Sequence, residues 1–201
     1  MGATSLSCIA DDDNVVLPDQ AVAGRNQAAW SRAWWEWAAS FNYSESPVAD
    51  LTGTNCHLKQ NGPVWFLAGT YGTGRTIRTC TVPRGKYLFF PLVNYVVFPS
   101  GRGSTTCASA RQTAKSVTDQ PSFLVLDLDG RDVQDLVKHR QATSGCFDLG
   151  ALTQPKQRIF PSAANGYYVM LKPLSPGRHV LNFGGVLNNM MQAVTYTLIV
   201  E

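Results

Sequence analysis

The stretch at residues 56–95 constrains the fold most strongly, because its apolar and β-branched runs are repeatedly cut by Gly and Pro. The run at 64–69 is followed by a glycine-containing loop, and the chain returns at 76–82 before a break at 83–85. Short strands joined by tight connections have this pattern. The stretch is therefore predicted to form the spine of a sheet, with the runs at 64–69 and 76–82 paired as a hairpin.

A helix with one aromatic face is predicted over residues 24–40. Its rings recur at spacings of four, three and four, at Trp30, Trp34, Trp37 and Phe41. A stripe at helical spacing is typical of a face packed on a sheet, although a stacking platform for sugar rings is the alternative. Trp35 lies off the stripe and is the candidate for an exposed, ligand-binding ring.

The C-terminal third carries a second strand pattern. Runs at 166–171 and 178–183, joined by a Pro- and Gly-rich connector, predict a hairpin, and residues 193–200 alternate as a strand with one wetter face. Another strand is predicted at 122–131, and short helices at 107–118 and 132–140. Strands at both ends with few helices indicate a mainly antiparallel β-sandwich of jelly-roll type, with the aromatic helix packed against it.

The five cysteines give information on the cellular compartment in which the protein folds. None forms a C-x-x-C pair or fits a structural zinc site, so disulfides are predicted. Cys56 and Cys80 flank the proposed first hairpin, and Cys107 and Cys146 bracket a later segment, although four cysteines allow three connectivities. Cys8 is left over, either free in a polar leader or lipidated as an anchor. Together the cysteines favour a secreted, periplasmic or cell-envelope protein.

Charge and length set the broad class of the chain. The 17 basic and 14 acidic residues are scattered, so no surface for nucleic acid is expected. No apolar window reaches the roughly 18 residues that a membrane span needs. We predict a flexible leader at 1–18 and a single β-sandwich domain at 19–201.

Catalytic signatures are weak. The sequence has no G-x-S-x-G, H-E-x-x-H or P-loop motif, and we predict no cofactor. Five residues are candidates by residue type alone, with His as base and Arg neutralising a carboxylate: Arg78, Tyr87, Asp127, Arg140 and His179. Asp127 and Asp129 share one strand face. The sequence leaves open a metal site built from His57, His139 and His179. His139 is also predicted to act as a cation at the C-terminus of the 132–140 helix.

Several segments together resemble a family of secreted bacterial hypothetical proteins to which no activity is attached. They are Trp34-Trp35-Glu36-Trp37, the Val-Trp-Phe-Leu-Ala-Gly segment at 64–69, the Cys-Thr-Val-Pro-Arg-Gly-Lys segment at 80–86, and the Pro-Leu-Ser-Pro-Gly-Arg-His segment at 173–179. The resemblance covers most of residues 30–201 and implies export and a single domain. It implies no catalytic residue.

Two functions from different classes follow as hypotheses. The first is an exported binding or structural module for a glycan, an envelope component or a small ligand, which fits the aromatic content and the missing catalytic motifs. The second is an extracellular enzyme that acts on a polysaccharide, with or without a metal held by the histidines.

Overall fold

Strands make up most of the regular structure in the computed structural model, which describes residues 13–71, 74–101, 104–188 and 190–201. Single-turn 3-10 helices occur at Tyr43–Glu45 and Leu136–His139. The α-helices and strands of the described residues are α1 Gln27–Ala39, β1 Val64–Phe66, β2 Arg75–Val82, β3 Tyr87–Val97, α2 Cys107–Val117, β4 Phe123–Leu128, β5 Arg131–Asp132, β6 Arg140–Ala142, β7 Ala163–Leu171, β8 Gly177–Leu187 and β9 Met190–Val200. The mainly β class is confirmed.

The strands form two sheets that face each other. Sheet I has the order β1-β3-β7-β6, and sheet II has the order β2-β9-β8-β4-β5. Apolar side chains from both sheets meet in one buried cluster, which is the arrangement of a β-sandwich. The strand directions are mixed, because β1 pairs with β3 and β2 pairs with β9 in parallel, while the other described pairings are antiparallel.

Neither predicted hairpin forms. β1 belongs to sheet I and β2 to sheet II, and β7 and β8 are separated in the same way. The connector at 172–176 carries the chain across the roughly 10 Å between packed sheets instead of reversing it within one sheet. A Pro- and Gly-rich segment indicates that the chain changes direction, but it does not indicate which of the two sheets contains the next strand.

Helix α1 covers the outer face of sheet I. It begins after Asn26, whose side chain accepts a hydrogen bond from the Ala29 N–H at 2.8 Å. The aromatic stripe packs against β1, β3 and β7, so its predicted role in the core is confirmed. Its indole N–H groups donate to backbone carbonyls at 3.0 to 3.1 Å, from Trp30 to Val22, from Trp34 to Leu67 and from Trp37 to Leu58. These bonds satisfy the polar edge of each buried ring.

Residues 13–18 of the predicted leader lie within the described chain. Val15 forms a β-bridge with Leu171, and the Val16 N–H donates to the Met170 carbonyl at 2.8 Å. This segment is packed on β7 rather than free in solvent. Cys8 lies outside the described residues.

Both predicted disulfides are confirmed. Cys56–Cys80 joins the turn before β1 to the second half of β2, and Cys107–Cys146 joins the start of α2 to the segment after β6. Within the described ranges, no helix combines the length and apolar character needed to cross a membrane.

The two short helices had different outcomes. The one at 107–118 is confirmed as α2, which starts with a reciprocal capping box between Thr106 and Ser109. The segment at 132–140 is instead split between β5, a 3-10 turn and β6. Pairing of β6 with β7 uses backbone groups that a continuous helix would have kept for itself.

Candidate functional site

A cavity of about 520 Å³ opens between α1, the loop after β1, the second half of β3 and the start of β9. We call it the α1 cavity. Five aromatic side chains line it: Trp34, Trp35, Tyr71, Tyr95 and Phe98. Among its described lining residues, none carries a carboxylate, ammonium, guanidinium or imidazole group. Its volume and apolar walls are those of a small-molecule site.

The mouth of the cavity exposes apolar side chains. Tyr71 is 61 % exposed, Phe98 47 % and Met191 45 %, although all three line the cavity. Outside it, Tyr71 stacks on Tyr43 with ring centroids 6.5 Å apart. Large apolar side chains left in water around an apolar opening are typical of a binding surface.

A β-bulge in β3 sets the polar end of this cavity. The register between β3 and β7 shifts between Pro91 and Val93, which leaves Leu92 as the extra residue. Leu92 and Val93 consequently both face the core between the sheets. Asn94 is thereby turned to the side of α1, where it lines the cavity. Bulges commonly re-aim a side chain beside a functional site in this way.

Gln192 on β9 fixes the bulge in place. Its Nε2 donates to the carbonyls of Pro91 and Leu92 at 2.7 and 2.9 Å, and its Oε1 accepts from the Thr70 N–H at 3.0 Å. Gly69 makes room for it, since a Cβ at that position would lie 2.1 Å from Oε1. One side chain thus joins β9, β3 and the loop after β1 around the cavity.

Tyr168 forms a hydrogen-bonded node behind the cavity wall. Its hydroxyl oxygen accepts the Trp35 Nε1–H at 2.8 Å and the Asn94 Nδ2–H at 3.2 Å. The ring is fully buried and stacks on Phe89 at 5.5 Å. Burial raises the pKa of Tyr168 despite these two donors, so the phenol keeps its proton. Trp35, the predicted exposed ring, is half-buried and is one of the residues that line the cavity.

Arg78, a catalytic candidate, is instead built into the scaffold. It is 1 % exposed. Its guanidinium donates to the backbone carbonyls of Val48, Asp50, Ala68 and Gly69 and to the Tyr196 hydroxyl. Because Val48 and Gly69 line the cavity, Arg78 braces one cavity wall from behind.

Three other candidates lie on separate elements. Arg140 on β6 forms an ion pair with Asp119 at 2.7 Å. Asp127 on β4 accepts a hydrogen bond from Asn182, and Tyr87 at the start of β3 packs against the aromatic cluster of α1. No hydrogen bond or ion pair recorded among the described residues joins any two of the five candidates, and none of the five lines the α1 cavity.

His179 lies in an Asp–His–Ser grouping at the opposite end of β8. Its Nδ1 is 2.7 Å from Asp129 Oδ2, and its Nε2 is 2.9 Å from the Ser175 carbonyl and 3.4 Å from the Ser175 hydroxyl. Both short contacts end on oxygen acceptors, so they are satisfied together by the doubly protonated imidazolium. A base for Ser175 would need a bare Nε2 facing the hydroxyl. The contacts of His179 therefore hold the turn after β4 to the connector before β8, and we call Asp129, His179 and Ser175 the clamp.

The three histidines have separate neighbours. His57 is exposed and its Nδ1 lies 3.1 Å from the Thr54 carbonyl, while His139 is 5 % exposed. Burial, followed by the charge of Lys138, lowers the pKa of His139 to about 4, so its predicted cationic role at neutral pH is wrong. No group of three or more His, Cys, Asp or Glu side chains able to hold a metal occurs in the described part of the chain.

Three residues at the site were missed by sequence reasoning: Asn94, Tyr168 and Gln192. The alternation of β9 could have indicated Gln192, because this polar residue shares the buried strand face with Val194 and Tyr196. Asn94 gave no such indication, because the bulge that turns it cannot be located from alternation alone.

No protein-family model matches this chain, and no curated protein or solved structure matches it at a significant level.

Proposed function

We propose that the protein is an exported binding module that takes up an uncharged, largely apolar small ligand in the α1 cavity. The observation that carries this proposal is the aromatic cavity with exposed rings at its mouth. Burial of apolar ligand surface contributes about 25 cal/mol per Å². A charged ligand would lose its hydration with no counter-charge among the described lining residues, so neutral ligands are favoured.

Export is supported by the two disulfides, which form and persist mainly in oxidising compartments. We propose a periplasmic, cell-envelope or extracellular location, in keeping with the resemblance to secreted bacterial proteins. The lipid anchor at Cys8 and the jelly-roll type of the sandwich stay predictions.

Titration with N-phenyl-1-naphthylamine, a neutral dye that fluoresces in apolar sites, tests the binding function. Ala39 on α1 lines the cavity, so Ala39→Trp should fill it and weaken the dye affinity at least about tenfold. Ala108→Trp adds the same side chain to an exposed position of α2 and is the matched control. The proposal is refuted if wild-type protein shows no saturable 1:1 binding, or if both variants bind equally well.

A glycan is the second candidate ligand, because the stacked pair Tyr43 and Tyr71 exposes ring surface that could pack on sugar rings. Calorimetric titration with neutral oligosaccharides addresses it. Under this alternative, Tyr43→Ala weakens glycan binding, whereas Ala39→Trp leaves it unchanged.

An extracellular polysaccharide-cleaving enzyme is the alternative from the other class. Its candidates Arg78, Tyr87, Asp127, Arg140 and His179 are spread over five strands, and several already have partners within the protein. Released oligosaccharides in a screen of purified protein against polysaccharides, lost in His179→Ala, would favour the enzyme over the binding module.

A further inference from the structure

The node at Tyr168 has one unmatched donor and one unmatched acceptor. The phenol oxygen accepts two N–H groups, while no acceptor for its own proton occurs among the described residues. Asn94 Oδ1 likewise receives no hydrogen bond from the described protein. A fully buried hydroxyl whose donor is unmet costs about 1–3 kcal/mol.

Rotating the Asn94 amide by 180° about its last side-chain bond resolves both deficits. The amide oxygen then takes the place of Nδ2, 3.2 Å from the Tyr168 oxygen, and accepts the phenol proton. The Trp35 N–H still donates to the phenol oxygen. Amide oxygen and nitrogen have nearly the same shape, so hydrogen bonding decides the orientation. The relay from Trp35 to Tyr168 to Asn94 gives a partner to the Trp35 N–H, to the Tyr168 hydroxyl and to the Asn94 Oδ1.

This relay fixes the polarity of the cavity. Once Oδ1 is occupied by Tyr168, the amide NH₂ of Asn94 is the group left for a ligand, and Asn94 lines the cavity. Gln192 is another polar lining residue, but its side-chain amide is already hydrogen-bonded to the backbone of Pro91, Leu92 and Thr70. Asn94 therefore offers an amide hydrogen-bond donor in a mostly apolar cavity, whose other polar lining side chains, apart from Gln192, are the hydroxyl-bearing Thr70, Tyr71 and Tyr95.

We propose that the α1 cavity selects neutral ligands that carry a hydrogen-bond acceptor oxygen, such as a ketone, ester or ether, which the Asn94 amide N–H contacts. The inference rests on the proposed binding function and adds the chemical class of the ligand. A hydrocarbon of the same shape leaves this donor unmet, and a neutral hydrogen bond is worth about 1 kcal/mol, so the acceptor improves affinity about fivefold to tenfold.

The test uses 2-acetylnaphthalene and its hydrocarbon isostere 2-isopropenylnaphthalene, measured as displacement of N-phenyl-1-naphthylamine. Wild-type protein should prefer the ketone by about fivefold to tenfold, and Asn94→Ala should bind both equally. Asn61→Ala, at an exposed position away from the α1 cavity, should keep the preference. Equal affinity of wild-type protein for the two compounds, or a preference for the hydrocarbon, overturns the inference while the binding function stands. Displacement of bound dye by neither compound also overturns the inference, whereas a wild-type protein that does not bind the dye at all refutes the binding function itself.

A measurement on wild-type protein keeps the proposal testable if Asn94→Ala does not fold. In ¹⁵N-correlated spectra, the Asn94 side-chain NH₂ resonance should move downfield with the ketone and stay in place with the hydrocarbon. An NH₂ resonance that both compounds shift alike contradicts the assigned contact.

Discussion

His139 couples the stability of the fold to pH through its burial. Its ring is 5 % exposed and Nδ1 has no hydrogen-bond partner in the described structure. Burial lowers its pKa from 6.5 to about 4 in the folded protein, so the unfolded chain takes up the proton first as the pH falls. The stability contributed by the neutral ring is complete above about pH 6.5 and is lost progressively towards pH 4.

We predict that this single group removes about 3 kcal/mol of unfolding free energy between pH 7 and pH 4. Urea denaturation at a series of pH values measures it. In His139→Gln the side chain cannot ionise, so that part of the pH dependence should disappear, whatever the offset in stability at pH 7. His57→Gln makes the same exchange at an exposed histidine and is the matched control.

His179 should show the opposite behaviour. Partial burial opposes its charge, but the hydrogen bonds to Asp129 and the Ser175 carbonyl raise the pKa of His179 above 6.5. The clamp is then intact below the unfolded value and is lost as the pH rises through the folded one. NMR titration of the imidazole resonances should give a pKa above 6.5 in wild-type protein and a lower one in Asp129→Asn.

Asp127→Asn is the matched control for the clamp. Asp127 lies on β4, and its carboxylate accepts from Asn182 instead of His179. The predicted shared strand face of Asp127 and Asp129 is wrong, because β4 ends at Leu128 and Asp129 lies in the turn that follows, with φ of 54°. The pKa of His179 should stay near its wild-type value in this variant. An equal decrease in both variants would mean that general negative charge, rather than the contact with Asp129, supports the imidazolium.

The bulge in β3 depends on a strand from the other sheet. Gln192 on β9 covers the carbonyls of Pro91 and Leu92 and the N–H of Thr70. Replacing it by Leu removes the amide donor from the two buried carbonyls, at about 1–3 kcal/mol each, and also removes the half-buried hydrogen bond to the Thr70 N–H.

We predict that Gln192→Leu lowers the unfolding free energy by about 3 kcal/mol and weakens binding in the α1 cavity, because Asn94 loses its fixed position. Chemical denaturation and dye titration measure the two effects. Gln112→Leu, on the exposed face of α2, makes the same exchange where only a 3.4 Å contact with Ser116 is lost. A stability loss as large in Gln112→Leu would exclude the bulge as the cause.

Local periodicity predicted α1, because the i, i+3 and i+4 spacing is decided within one element. Composition predicted α2, since residues 107–118 are rich in Ala, Gln and Lys. Periodicity did not predict the sheet to which β7 belongs. This strand is buried along its whole length, because α1 covers one of its faces and sheet II covers the other. A strand without a wet face gives no alternation from which its sheet can be inferred. Contacts between residues distant in sequence decide which sheet receives β1 and which receives β2. The hairpin predictions were wrong because local patterns do not contain this information.

The whole molecule is held by two disulfides that differ in exposure. Cys56 and Cys80 are 6 % and 2 % exposed, whereas Cys107 and Cys146 are both half-buried. Thiol–disulfide exchange requires a thiolate to reach a sulfur atom, so access governs the rate in the folded state. Cys56–Cys80 also lies in the core between the sheets, where opening it needs the packing there to loosen.

We predict that mild reduction of the native protein opens Cys107–Cys146 first and leaves Cys56–Cys80 closed until the fold itself opens. Alkylation followed by peptide mass spectrometry at successive times distinguishes the two pairs. By the chain-entropy model, loss of either link costs about 3 to 4 kcal/mol, so Cys107→Ser and Cys56→Ser should both lower the thermal midpoint. Cys56→Ser should lower it further, because it also places a hydroxyl in the core. Simultaneous labelling of all four cysteines under native conditions would show that the sandwich opens as one unit before either bond is reached.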